Sequence, residues 1–218
     1  MKNKTINIII GILLIATFVG ILIVYNKLPS TIPIHWNIKG DIDGWGKTSS
    51  IWTLFLTQIG VNLLFVLIPK IDPKKENYKR FERLYAIFIL VFNILFSSII
   101  AITISVALGN TSINVSKIIP FLVGIMFAII GNYMPKFKHN YTMGIKTPWT
   151  LASESVWNRT HRMAAPIWVV GGILMAILPL FLNANYVWIA YVVIIAAIVL
   201  IPTIYSYVIF NQEKNAGK

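Results

Sequence analysis

The sequence predicts an all-α fold, a polytopic membrane helix bundle of six transmembrane helices with both termini cytoplasmic, and three observations carry that expectation. Hydrophobic residues make up 57% of the chain and charged residues only 12%, about half the charged share of a soluble domain. Such a surface needs lipid as its solvent. The apolar residues fall into six runs, each about twenty residues long, enough at ~1.5 Å per residue to cross ~30 Å of hydrocarbon, and no Asp, Glu, Lys or Arg interrupts any of them. The charge that remains is lopsided: fifteen of the 19 Lys and Arg residues fall in the termini and the second and fourth connections, against Lys27, Lys39, Lys47 and Lys117 elsewhere. The positive-inside rule puts the basic side in the cytoplasm. The net charge of +12 therefore reads as lipid attraction and orientation, with anionic lipids as partners and no direct nucleic-acid binding. The chain has no cysteine, which excludes disulfides and thiolate metal sites.

Taken in order, the expected spans cover residues 6–25, 51–68, 84–108, 118–134, 163–182 and 187–210. The first has a basic start like a secretory signal, but its apolar run is too long and no small-residue cleavage pattern follows, so it reads as an uncleaved anchor. Residues 26–50 form the first outer segment, an ordered turn structure: Pro29 and Pro33 extend their predecessors, Gly40, Gly44 and Gly46 permit positive φ, and Asp41 and Asp43 close turns through their own backbones. Trp36, Trp45 and Trp52 suit the headgroup level. One reading of this segment is a connector anchored in the aromatic belt. The other is an extracytoplasmic recognition surface built from Pro33, His35, Trp36, Gly40, Asp43 and Gly44. The stretch DIDG has too few carboxylates for a calcium loop. The first inner connection, PKIDPKKENYKRFERLY, alternates charge and carries Tyr78, Phe81, Leu84 and Tyr85 at helical spacing, which predicts a short, solvated, lipid-facing surface helix. Within the spans, Gln58, Asn62 and Asn93 are expected to bond across helices, and the Gly171-Gly172 pair to admit a neighbouring helix closely. Pro120, Pro166, Pro179 and Pro202 are expected near or inside spans, where each frees a carbonyl.

Chemistry concentrates in residues 131–162, GNYMPKFKHNYTMGIKTPWTLASESVWNRTHR. Gly144 and Pro148 break a helix there, and Pro148 pushes Thr147 to extended geometry. Ser153 is a good N-cap with Glu154 in the first turn, so a helix restarts and runs on through Arg162. Helical spacing puts Glu154, Trp157, Asn158 and His161 on one face, with Arg162 one turn beyond Asn158. Three kinds of site compete. A metal centre lacks ligands, because only His161, Glu154 and His139 lie on this side of the membrane. An acid–base centre would set Glu154 and His161 two turns apart, at opposite ends of a substrate. The third is a connector or binding element whose polar groups bond one another.

The run N-x-x-x-G-I-K-T-P-W-T-L-x-S-E-x-V-W-N-x-T-H-R, from Asn140 to Arg162 and preceded by GNYM with Asn132, resembles the signature of the SdpI family of bacterial membrane proteins. The outer segment LPSTIPIHWNIKGDIDGWGKTSS is similar to the short N-terminal domain of unknown function that often precedes it. Lys146 stands where Arg is frequent, which keeps the charge but loses bidentate geometry. The resemblance makes Asn132, Asn140, Gly144, Lys146, Thr147, Pro148, Trp149, Glu154, Trp157, Asn158, His161 and Arg162 signature or binding positions without catalytic roles. It implies a multi-pass protein of the bacterial plasma membrane that confers immunity to a secreted antimicrobial peptide toxin, a form of bacteriocin resistance. It further implies signal transduction through a cytoplasmic transcriptional repressor held at the membrane, with no cofactor and no metal. Two parts are expected: residues 1–70, a helix pair with its outer loop, and residues 71–218, an SdpI-like four-helix region with the cytoplasmic signature loop. Two alternatives stand beside this, a membrane-embedded enzyme using Glu154 and His161, and a small transporter.

Overall fold

The computed structural model describes residues 3–216; Lys2 and Lys218, two of the fifteen basic residues counted above, lie outside them. Among the described residues six helices are long and apolar enough to cross a membrane: α1 (Lys4–Tyr25), α2 (Ser50–Ile71), α4 (Glu82–Ala107), α5 (Val115–Tyr133), α7 (Glu154–Phe181) and α8 (Ala184–Ala216). Two short helices, α3 (Lys75–Tyr78) and α6 (Pro148–Ala152), lie in the connections. The chain is a multi-pass membrane protein, as the six apolar runs require. Hydrocarbon offers a backbone no hydrogen-bond partner, so each run closes its own bonds as a helix. In α1 only Ile10 and Ile21 are buried, while Ile8, Ile12, Ile15 and Ile23 face outward, where lipid solvates them.

Glycines set the closest helix contact. A Cβ on Gly172 of α7 would fall 2.5 Å from the Ala128 nitrogen and the Gly124 oxygen of α5, and a Cβ on Gly124 would fall as close to Ala176 and Gly172. Only small residues permit this approach, which substitutes backbone contact for the hydrophobic drive that lipid removes. Gly171 receives Ile194 and Ile198 of α8 on the other side, so the pair works as its sequence suggested. Pro120, Pro166, Pro179 and Pro202 all lie inside helices.

The polar exceptions in the spans meet as expected. The Gln58 amide donates to Asn93 Oδ1 at 3.1 Å and to Ser97 Oγ at 3.1 Å, Asn62 and Asn93 exchange two bonds of 2.9 Å, and Thr17 of α1 donates to Ser97 at 2.9 Å. This network ties α1, α2 and α4 together, each such bond contributing ~0.6 kcal/mol on average.

The outer segment is a β-hairpin rather than a set of turns. Strand β1 (Thr31–Trp36) pairs antiparallel with β2 (Ile42–Lys47), with irregularities on either side of His35. Ile32 is fully buried with Ile21, Ile51, Phe55 and Ile100, which seats the hairpin on one end of α1, α2 and α4. The turn is closed by Asn37, whose Oδ1 accepts from the Lys39 and Asp41 nitrogens and whose amide donates to Asp41 Oδ2 at 3.2 Å, while Asp43 pairs with His35 instead. Of the three glycines expected at positive φ, only Gly40 (φ 87) adopts it. Gly44 answers a different need, since a Cβ there would sit 2.8 Å from His35 Cβ. Proline and glycine content hid the strand pairing.

The first inner connection also differs from expectation. Tyr78, Phe81 and Tyr85 do not face lipid; they are buried with Met134, Phe137 and Met143 at the opposite end of the bundle from the hairpin. Their helical spacing was real, but the surface covering them is the signature loop, not the bilayer.

Candidate functional site

After α5 the chain makes a short 3₁₀ turn (Met134–Lys136) and then runs without regular structure to α6. Gly144 lies at φ +108, a conformation that L side chains rarely adopt, and Thr147 is extended at φ −107 and ψ 161. Thr147 then caps α6 reciprocally: its hydroxyl accepts from the Thr150 nitrogen at 3.1 Å while its nitrogen donates to Thr150 Oγ1 at 2.9 Å. Ser153 caps α7 by accepting from the Val156 nitrogen at 3.3 Å. The break at Gly144, the extended Thr147 and the restart at Ser153 fall where the sequence put them, whereas Pro148, expected to break a helix, begins the short α6.

What holds the loop is a carboxylate from outside it. Asp72, 4% exposed at the end of α2, accepts from the Lys74 nitrogen (2.7 Å), the Tyr141 nitrogen (3.0 Å), the Thr142 hydroxyl (2.9 Å) and the Tyr78 hydroxyl (2.9 Å). Burial alone would raise its pKa, but these four donors outweigh burial and hold it below the ordinary carboxylate value. Tyr78 is pushed the other way, first by burial and then by the neighbouring carboxylate. Asn140, fully buried, organises the turn beside it. Its Oδ1 accepts from the Thr142 and Met143 nitrogens at 2.8 and 2.6 Å, and its amide donates to the Lys138 and Met143 carbonyls at 2.8 and 3.1 Å. Asn77 of α3 adds a bond to the His139 carbonyl at 2.7 Å.

Trp157 and His161 form the floor. The Trp157 indole, fully buried, donates to the Phe137 carbonyl at 2.9 Å, and the two rings stack with centroids 4.1 Å apart. His161 Nε2 accepts from the Ile145 nitrogen at 2.9 Å and Nδ1 faces the Trp157 carbonyl at 2.8 Å. A backbone N–H only donates and a carbonyl only accepts, so the ring is neutral with its proton on Nδ1, and neither nitrogen is free. A Cβ on Gly144 would run into His161 Nε2; close approach and positive φ thus demand glycine twice over. His139 is buried against Trp157 (centroids 5.2 Å) without a hydrogen bond at either nitrogen; Leu151 lies near but out of bonding geometry. Burial, and then the positive charge of Lys74, lower its pKa.

The end of α8 completes the assembly. Its 33 residues reach ~50 Å, well past a bilayer core, and carry Ser206 and Glu213 to the loop. The Ser206 hydroxyl meets Thr147 Oγ1 at 3.0 Å, Trp149 packs edge-on against Tyr207, and Glu213 accepts from Ser153 (3.3 Å), Ser155 (2.6 Å) and Arg159 (3.4 Å).

The sequence-predicted residues therefore sort into two sets. Asn140, Thr147, Trp157 and His161 are internal and hold the loop, with Gly144 and Trp149 at its edges; Asn132, Lys146, Pro148, Glu154, Asn158 and Arg162 are exposed. The expected single face of Glu154, Trp157, Asn158 and His161 is split: Trp157 and His161 point inward, Glu154 and Asn158 outward. At the other end of the bundle, Pro33 is buried, Trp36, Gly40 and Gly44 are half-buried, and His35 pairs through Nδ1 with Asp43 at 2.5 Å on the hairpin surface. Asp72, Tyr78, Ser206 and Glu213 were missed. Asp72-Pro73 after a span and a lone Ser206 inside an apolar helix were the available signals.

Known proteins align with both ends of this structure. The SdpI/YfhL protein family matches residues 136–206, and a domain of unknown function, DUF1648, matches residues 12–59. The immunity protein SdpI of Bacillus subtilis (strain 168) is 30% identical over 207 residues, covering 95% of each chain. No solved structure matches. With similarity running nearly end to end, and the matched segment folded into the loop and helices just described, the chain belongs to the SdpI/YfhL protein family.

Proposed function

We propose that this chain is an immunity and signalling protein of the bacterial plasma membrane, protecting the cell against a secreted antimicrobial peptide toxin. The observation that carries this reading is the sorting of the signature into a locked interior and an exposed polar rim. We read it as a site that binds rather than converts, because both ring nitrogens of His161 are already bonded and Glu154, the other member of the expected acid–base pair, points outward while that ring points inward. Residues 1–70, with the hairpin, are the toxin-facing part, where His35, Trp36 and Asp43 offer contacts. Residues 71–218 are the responding part, whose cytoplasmic rim of Lys146, Glu154, Asn158 and Arg162 engages a transcriptional repressor. The membrane-enzyme alternative needs a free His161, and the transporter alternative needs charged groups inside the spans.

The test is a killing assay in a toxin-sensitive strain expressing the parent, His35→Ala or Glu154→Ala, with a repressor-controlled reporter alongside. His35→Ala loses protection, whereas Glu154→Ala keeps protection and loses the reporter response. Unchanged killing despite membrane expression of the parent refutes the immunity reading, and loss of both outputs in Glu154→Ala refutes the division of labour.

A further inference from the structure

A cavity of about 570 Å³ opens beside the signature loop, lined by Asn3 at the start of α1, residues 79–84 leading into α4, and Pro135, Lys136 and Lys138 after α5. Its composition is one-sided. Five cations border it, Lys79, Arg80, Arg83, Lys136 and Lys138, against one carboxylate, Glu82, which is itself engaged. Two of the cations have internal partners: Lys79 pairs with Glu76 at 2.6 Å, and Lys136 lies over the Tyr133 ring at 5.5 Å. Among the described residues Arg80, Arg83 and Lys138 have no ion-pair partner. Phe81, Leu84 and Pro135 add apolar surface.

Two further facts define what fits. Asn3 and Phe81, the residues preceding α1 and α4, make no side-chain cap bond and both line the cavity, which sets the electropositive starts of two helices at its wall. Both helices are membrane-crossing, which places the cavity where hydrocarbon gives way to headgroups. A group that carries a negative oxyanion and is tethered to an apolar body satisfies the cations, the helix starts and the apolar wall together. We propose that this cavity is a binding site for the phosphate headgroup of an anionic phospholipid, held by Arg80, Arg83 and Lys138. Arginine supplies planar paired donors to phosphate oxygens and lysine a point charge, and the surrounding cations add long-range attraction.

The experiment uses the full chain purified in an uncharged maltoside detergent. Short-chain phosphatidylglycerol, short-chain phosphatidylcholine and inorganic phosphate are titrated separately, with binding read by calorimetry. The parent is expected to bind phosphatidylglycerol saturably and to bind neither of the others at the same concentration. The variant R80Q/R83Q/K138Q is expected to weaken phosphatidylglycerol binding on the order of a hundredfold, while R80K/R83K/K138R retains most of it. Should the triple variant not fold, R80Q and K138Q alone are each expected to weaken binding about fivefold. Parent-like affinity in the neutralised variants, equal binding of phosphatidylcholine, or displacement of the lipid by equimolar inorganic phosphate would overturn the proposal.

Discussion

Replacing Asp72 by Asn tests whether one carboxylate from α2 holds the signature loop in place. The substituted amide would keep the shape of the side chain but only one acceptor oxygen. In the better of its two orientations that oxygen serves Tyr141, Thr142 and Tyr78, and the new NH₂ faces the Lys74 nitrogen, where donor meets donor. Three charge-assisted bonds then become neutral, each losing ~1 kcal/mol, and one part-buried N–H loses its acceptor at up to ~1 kcal/mol. The loop should therefore open more easily by about 3–4 kcal/mol, a few hundredfold in the open population. Tryptic cleavage after Lys146 under native conditions reads that population directly when reclosing is fast. The expected result is cleavage accelerated by about two orders of magnitude, with far-ultraviolet helicity unchanged because the spans do not depend on the loop. Parent-like cleavage in Asp72→Asn would sink the idea that this node locks the loop, and a collapse of total helicity would show that the node stabilises the bundle instead.

Two other perturbations probe the same assembly. Gly144→Ala combines the cost of a side chain at φ +108 with a collision at His161, so thermal stability should fall by about 3 kcal/mol with loss of the near-ultraviolet signal of Trp157; an unchanged melting curve counts against the described packing. For His139 the folded-state pKa is depressed below its ordinary 6.5, so the unfolded or opened loop binds the extra proton. Its contribution to stability is complete above about pH 6.5 and is lost as pH falls toward the folded value. Cleavage at Lys146 should accelerate on acidification in that window, and His139→Phe should flatten the slope. Asp72, also depressed, acts with the same sign but only below about 3.8, so the two effects separate on the pH axis.

The helices were legible because apolar length is a local property and hydrocarbon admits few alternatives. The Ser153 cap was legible for a similar reason, since capping involves residues within one turn; Thr147 was expected only to be extended, and its cap on α6 came as an addition. Residues whose role is set by distant partners were not. Tyr78, Phe81 and Tyr85 have the spacing of a lipid-facing helix, and nothing within that stretch says that Met134, Phe137 and Met143 cover them. Glu154 and Trp157 look equivalent on a helical wheel, yet the Phe137 carbonyl draws one inward while the other stays in solvent. Asp72 was hidden among the alternating charges of a basic connection, and its partners in the loop, Tyr141 and Thr142, lie about seventy residues downstream. The hairpin escaped because Gly44 and Gly46 serve close strand packing, a use of glycine that its sequence does not distinguish from a turn.

The reach of α8 over the loop carries a consequence for synthesis at the membrane. The bonds around Asp72 and Asn140 can form once residues 72–143 have emerged, and the His161–Ile145 bond once α7 has inserted. Those from Ser206 and Glu213 await the last helix. A chain stalled after α7 would have five inserted spans and a signature loop folded along one side only, with Thr147, Ser153 and Ser155 lacking their α8 partners. The loop and the rim it carries thus take their final form only on a chain translated nearly to its end.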